Sequence, residues 1–145
     1  MIILDTNVVS EPMKPQGNPA VRDWLDQQVA ETLYLTATSL SELLLGVEIL
    51  PDGKRKEGLA AALGELIGEL FGSRILPFDH KAAAATYAPL IRRARANGQA
   101  ISVADGQIAA IATLHGFAVA TRDTAPFAAA AVPVINPWEV GVLGG

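Results

Sequence analysis

The sequence predicts one α/β domain with a mainly parallel central sheet of four to five strands and helices on both faces. Three observations carry this prediction. Short apolar runs alternate almost throughout with longer stretches whose apolar residues recur at helical spacing. The runs are continuously apolar, which marks strands covered on both faces. A length of 145 residues, half of them hydrophobic and 18% charged, suffices for one substantial core.

The elements follow in order. Ile2–Leu4 reads as a buried strand that stops on Asp5. Residues 10–19 hold three prolines and a glycine and read as a loop. Asn18 then caps a helix with Pro19 at its first position and Val21, Trp24, Leu25 and Val29 on one face. Residues 32–36, TLYLT, form a second strand, and Leu40, Leu43, Leu44 and Val47 mark a helix that stops near Pro51-Asp52-Gly53. A third helix carries Leu59, Leu63, Leu66, Ile67 and Leu70. Residues 75–78 make a strand that ends on Asp79, a helix cap. The long helix after it buries Tyr87, Leu90, Ile91 and Ala94, and Pro89 inside it predicts a kink or break. Residues 102–115 form a helix closed by Gly116; residues 117–120 and 132–135 complete the strands. Residues 1–140 thus form one domain, and 141–145 read as a flexible C-terminal tail.

Composition narrows the function. There is no cysteine, so a disulfide framework and a thiolate metal site are excluded. No apolar run is long enough to span a membrane, and no basic leader precedes the first strand; the expected location is the cytoplasm. A net charge of −4 argues against an extended basic nucleic-acid face, though not against a local basic groove.

The acids are the informative residues. In a parallel α/β fold, strand C-termini and helix N-termini share one edge, and sites form there. Asp5 ends the first strand, Glu42 and Asp105 fall in first turns of helices, and Asp123 follows the strand ending at Ala120. Each has a structural alternative. Ser39–Glu42 matches a capping box, and Ser102–Asp105 resembles one. Asp123 suits a cap, and Asp5 suits a turn. Four such acids on one edge point beyond capping. Two carboxylates about 4 Å apart repel by roughly 4 kcal/mol at an effective dielectric of about 20, so a convergent set calls for a cation. Oxygen donors without histidine or cysteine suit Mg²⁺, with Mn²⁺ as substitute, and such an ion suits phosphodiester hydrolysis. Thr6 and Asn7 are placed to hydrogen-bond Asp5 or the ion's waters, Thr121 can do the same beside Asp123, or all three simply bond their own turns.

These residues carry a resemblance. ILDTN at 3–7, SLSELLLG at 39–46, SVADGQIAAIA at 102–112 and VATRD at 119–123 resemble the PIN-domain family, and more closely its VapC-type toxin ribonucleases. ILPFD, TRDTAPF and VINPWE are similar to the FitB-like subgroup. The resemblance spans residues 2 to about 139 and implies a Mg²⁺-dependent endoribonuclease of a toxin–antitoxin module, usually dimeric. It implies a cognate VapB-type antitoxin that blocks the acidic site and binds operator DNA, so that DNA is met only through the antitoxin. Asp5, Glu42, Asp105 and Asp123 match the family's acidic positions, as catalytic residues and metal ligands. Asn7 and Thr121 match its polar companions. Two departures stand out: Pro126 occupies the place of a further acid, and Gly106 follows Asp105 where many relatives carry a larger residue.

Arg92, Arg93 and Arg95 cluster near a helix end, and Arg122 adjoins Asp123; they are candidates for RNA or antitoxin contact, or solvated charge. Lys54-Arg55-Lys56 reads as solvated charge. Apolar residues on 40–50 and 59–71 exceed one core-facing stripe, which suggests a homodimer and a partner groove, or a generous core. Two competing readings are an inactive PIN-like interaction module and a phosphatase of the haloacid dehalogenase type. The latter wants D-x-D where this chain has Asp5 and Asn7.

Overall fold

The computed structural model describes residues 1–139. The proposed tail at 141–145, and the exact domain boundary at 140, lie outside them. Five strands form one sheet in the order β3-β2-β1-β4-β5, every pair parallel. They are β1 (Ile2–Leu4), β2 (Leu33–Thr36), β3 (Ile75–Leu76), β4 (Ala118–Ala120) and β5 (Val134–Ile135). Most are a residue or two shorter than the apolar runs suggest. The flanking residues pack without joining the ladder, as Phe78 and Phe117 do.

Alternation across the sheet divides the core in two. Ile3 faces α5 (Ala88–Ala96), α6 (Val103–His115) and α7 (Thr124–Ala129). Leu4 faces α1 (Thr6–Ser10), α2 (Pro19–Asp26), α3 (Ala37–Glu48) and α4 (Lys54–Glu65). The predicted α/β class and the two covered faces are therefore both present.

Several elements differ from the sequence reading. Asp5 does not simply end a strand in a turn: it caps α1, accepting a hydrogen bond from the Thr6 N–H. This helix of five residues is built from poor helix formers. It is held by the cap and by burial of Val8 and Val9. The loop expected at 10–19 keeps only its second half, since Glu11–Met13 continue as a 3₁₀ turn. Val29 lies beyond the end of α2 and is 62% exposed, not on the helix face. The Asn18 cap and Pro19 stand as expected.

Asp79 accepts from the N–H groups of Lys81 and Ala82, which confirms it as a cap. The helix that follows runs as a wide π turn over Ala82–Tyr87 and becomes α-helical at Ala88. Pro89 lacks the N–H that would bond four residues back, so the break falls where the proline predicts. α4 likewise runs into a π turn, Leu66–Phe71. α6 closes on Gly116 at φ 71°.

Candidate active site

The chain builds β1, β2 and β3 outward on one side, then crosses to place β4 on the other side of β1. The order reverses between β1 and β4, and the ends of these strands frame the crevice that an open parallel sheet offers a ligand. Asp5 leaves β1 and Thr121 leaves β4 at that point. The Asp5 N–H donates to the Ala120 carbonyl at 2.9 Å, which extends the ladder to the strand ends.

Two threonines hold the Asp5 carboxylate, which is 6% exposed. Its Oδ1 accepts the Thr6 N–H at 2.8 Å, and its Oδ2 accepts the buried Thr121 hydroxyl at 2.8 Å. Burial pushes the carboxyl up to about 6 in spite of these two bonds, and the nearby charges of Asp105 and Glu42 add to the rise. Each threonine also reaches a second acid. The Thr6 hydroxyl donates to Glu42 Oε1 at 2.8 Å, and Thr121 Oγ1 accepts the Asp123 N–H at 3.1 Å. Asp105, half-buried in the first turn of α6, is also pushed up from its ordinary value. Burial is the main cause; a Ser102 hydrogen bond opposes it, and Asp123 and Glu42 reinforce it.

The four acids are therefore electrostatic neighbours: Asp5 senses Glu42 and Asp105, and Asp105 senses Glu42 and Asp123. They are not a closed cage. Among the described residues, no three His, Asp or Glu side chains gather closely enough to hold a metal ion. The donors fit a hard, hydrated divalent ion bound through one or two carboxylates and its own waters, and they do not fit a zinc site of nitrogen or sulfur ligands.

The capping alternatives fare unevenly. Glu42 takes no part in one: Thr36 caps α3 by accepting the Ser39 N–H at 3.0 Å, which puts Glu42 in the second helical turn and not the first. Asp123 occupies the cap position of α7 without a side-chain bond to it. Half of the box at α6 is real, since Ser102 Oγ accepts the Asp105 N–H at 3.1 Å.

The other candidates are placed as follows. Asn7 does not bond Asp5; its side-chain oxygen accepts the Arg122 N–H at 3.4 Å. Arg122 lays its guanidinium 5.3 Å from the Trp138 ring. Arg92, Arg93 and Arg95 lie exposed on α5 and make no ion pair among the described residues. Pro126 is buried in α7. Gly106 has a clear reason: a Cβ there would come 2.8 Å from Ile91 Cδ1 and 2.9 Å from Tyr87 Cε2.

Two features went unread in the sequence. Glu11 is 7% exposed, ion-paired with Lys14 at 3.1 Å and bonded to the Asn18 N–H, so it pins the segment between α1 and α2. Thr38 donates to Gln107 Oε1 at 2.9 Å, joining α3 to α6. The Glu11 pairing is local in sequence, whereas Thr38 and Gln107 are brought together only by the fold.

The fold and this acidic edge define a PIN-domain protein, and the PIN-domain family model matches residues 2–133; the chain belongs to that family. It is similar to the toxin FitB of Neisseria gonorrhoeae, 51% identical over 139 residues, covering 96% of this chain and 99% of FitB. It is similar too to the VapC ribonuclease Y4jK of Sinorhizobium fredii, 50% identical over 140 residues, with the same coverage. Among solved structures it resembles FitAcB from Neisseria gonorrhoeae, with a TM-score of 0.90 at 51% identity over 95% of this chain and 99% of that one. It also resembles FitAB bound to an IR36 DNA fragment, with a TM-score of 0.91 at 49% identity over 95% and 96%.

Proposed function

We propose that this chain is the toxin of a toxin–antitoxin pair: a Mg²⁺-dependent endoribonuclease, with Mn²⁺ as substitute, silenced by a cognate VapB-type antitoxin. The observation that carries the proposal is the hydrogen-bonded acidic edge at the β1–β4 switch point, where Thr6 joins Asp5 to Glu42 and Thr121 joins Asp5 to the Asp123 backbone. The toxin and ribonuclease names of two relatives at about half identity support it.

A bound divalent ion would lower the pKa of a water and neutralise charge developing on the phosphate. Asp5 anchors the site, because β1 and two threonines fix both of its oxygens. Its burial makes the free anion costly, and a cation relieves that cost. Glu42 is exposed and bonded through Oε1, which leaves Oε2 to orient an attacking water and take its proton. Asp105 and Asp123 complete the negative rim.

Next to Glu42 opens an apolar groove of about 450 Å³ between α1, α3 and α4, with Leu43, Val47, Leu59 and Leu63 in its wall. We assign it to the antitoxin. An apolar segment seated there would bring a basic side chain to Glu42, where an arginine can pair with a carboxylate through two bonds. DNA would be met only through the antitoxin, as part of a complex such as FitAB on its DNA fragment. Leu44 and Leu45 on α3 and Ile49 at its end are 50%, 60% and 72% exposed, and a homodimer would cover them. No helix among the described residues is long and apolar enough to cross a membrane, and the proposed location is the cytoplasm.

The test is RNA cleavage by the purified chain in Mg²⁺, with an EDTA control. Metal-dependent cleavage is expected; equal cleavage in EDTA would sink the metal mechanism. The open spacing of the acids also suits a PIN-like module that binds partners without chemistry. No cleavage in Mg²⁺ or Mn²⁺, with antitoxin binding intact, would select that reading.

A further inference from the structure

The helices that carry Glu42 and Asp105 are joined by one polar contact: the Thr38 hydroxyl on α3 donates to Gln107 Oε1 on α6 at 2.9 Å. Thr38 stands one helical turn before Glu42, and so shares its face of α3. Gln107 stands two residues past Asp105, in the second turn of α6. The contact is partly buried, and the residues are 69 positions apart in the chain. α3 and α6 pack against one another, so the contact ties two helices that already touch.

The same turns of α6 are gripped from a second side. Gly106, between Asp105 and Gln107, lets Ile91 and Tyr87 approach to where a Cβ would stand 2.8 and 2.9 Å away. α6 is therefore wedged against the helix of residues 82–96 and tied to α3 at consecutive residues. Two like-charged side chains repel, and a tie between their helices resists that repulsion. A metal ion or a scissile phosphate needs them at a fixed distance.

We propose that Thr38 and Gln107 are positioning residues, a clamp that sets Asp105 against Glu42 at the separation a divalent cation requires. This rests on the metal-site reading of the acids. Thr38→Val removes the donor at constant shape, Gln107→Leu removes the acceptor, and Thr38→Ser keeps the donor. The probe is Mn²⁺ binding to the whole chain, followed by electron paramagnetic resonance, with thermal unfolding in EDTA alongside.

Each single variant is expected to weaken Mn²⁺ binding roughly tenfold, the low end of the effect of removing groups that orient metal ligands. The double variant should lose no more than either single one. Thr38→Ser should bind as the unaltered chain does, and all variants should melt within a few degrees of it in EDTA. Unchanged Mn²⁺ affinity in Thr38→Val and Gln107→Leu overturns the clamp while leaving the metal site standing. Losses that add, or that simply follow a fall in melting temperature, overturn it as well. If the unaltered chain itself binds no Mn²⁺, the metal-site reading fails first and takes the clamp with it.

Discussion

Asp5→Asn separates chemistry from stability most cleanly. The carboxyl rises from 3.8 to about 6 on folding, mainly through burial. That corresponds to on the order of 3 kcal/mol. The sign follows from proton binding. Below pH about 4 the acid is protonated in both states and contributes nothing. Between about 4 and 6 the unfolded chain has ionised while the folded one keeps its proton, so stability falls as pH rises. Above 6 the full penalty is present. Asparagine removes the charge and keeps the shape. It keeps one oxygen, so the Thr6 N–H or the Thr121 hydroxyl loses its acceptor. That costs about 1 kcal/mol. The metal-free variant should therefore be more stable at pH 7 by roughly 2 kcal/mol, or roughly 5 °C in melting temperature. At pH 4 it should be slightly less stable. Its metal-dependent RNA cleavage should be abolished. The assay is thermal unfolding in EDTA across pH 4 to 8, with cleavage measured at saturating Mg²⁺. A variant that melts lower than the parent at pH 7, or that cleaves at the parent's rate, would refute the reasoning.

Glu42→Gln should keep the Thr6 hydroxyl bonded and leave α3 intact, since Thr36 caps that helix; cleavage should fall by roughly 10²-fold or more. A large drop in melting temperature with cleavage intact would return Glu42 to a structural role. Gly106→Ala should cost roughly 1–3 kcal/mol by overpacking against Ile91 and Tyr87, and shortening the neighbour with Ile91→Val should recover part of it in denaturant titrations. If the chain forms the proposed homodimer, Ile49→Lys, which puts a charge at the exposed end of α3, should shift it to monomer by light scattering; an unaltered size would move the self-association surface elsewhere.

The sheet and its two covered faces were legible because continuous apolar runs and helical periodicity are local signals. The shared edge was legible too, since parallel topology puts strand ends and helix starts together whatever the loops do. What stayed hidden needed the third dimension. α1 is invisible to propensity, for Thr6, Val8 and Val9 disfavour a helix that capping and burial nevertheless impose. The start of α3 was misread because Thr36 serves twice, as the last residue of β2 and as the cap, so the Ser39–Glu42 pattern looked like the helix start. Thr38 and Gln107 gave no signal at all, being ordinary polar residues on two helices.

The correction at Glu42 changes what its charge implies. A capping glutamate would be explained by its own helix; one in the second turn has no capping role, and it bonds Thr6 from another element. Asp5 is similar. As a cap it would need just one oxygen and no burial, yet both oxygens are tied and the group is buried at a cost that the fold itself does not repay. Other favourable terms in the chain must absorb that cost. On the proposed reading two cations can relieve it: a metal ion, or a basic side chain from a segment seated in the neighbouring groove. The same strain would then drive both activation and inhibition. The two ligands would compete for one negative rim, and saturating Mg²⁺ should weaken antitoxin binding to the unaltered chain more than to Asp5→Asn.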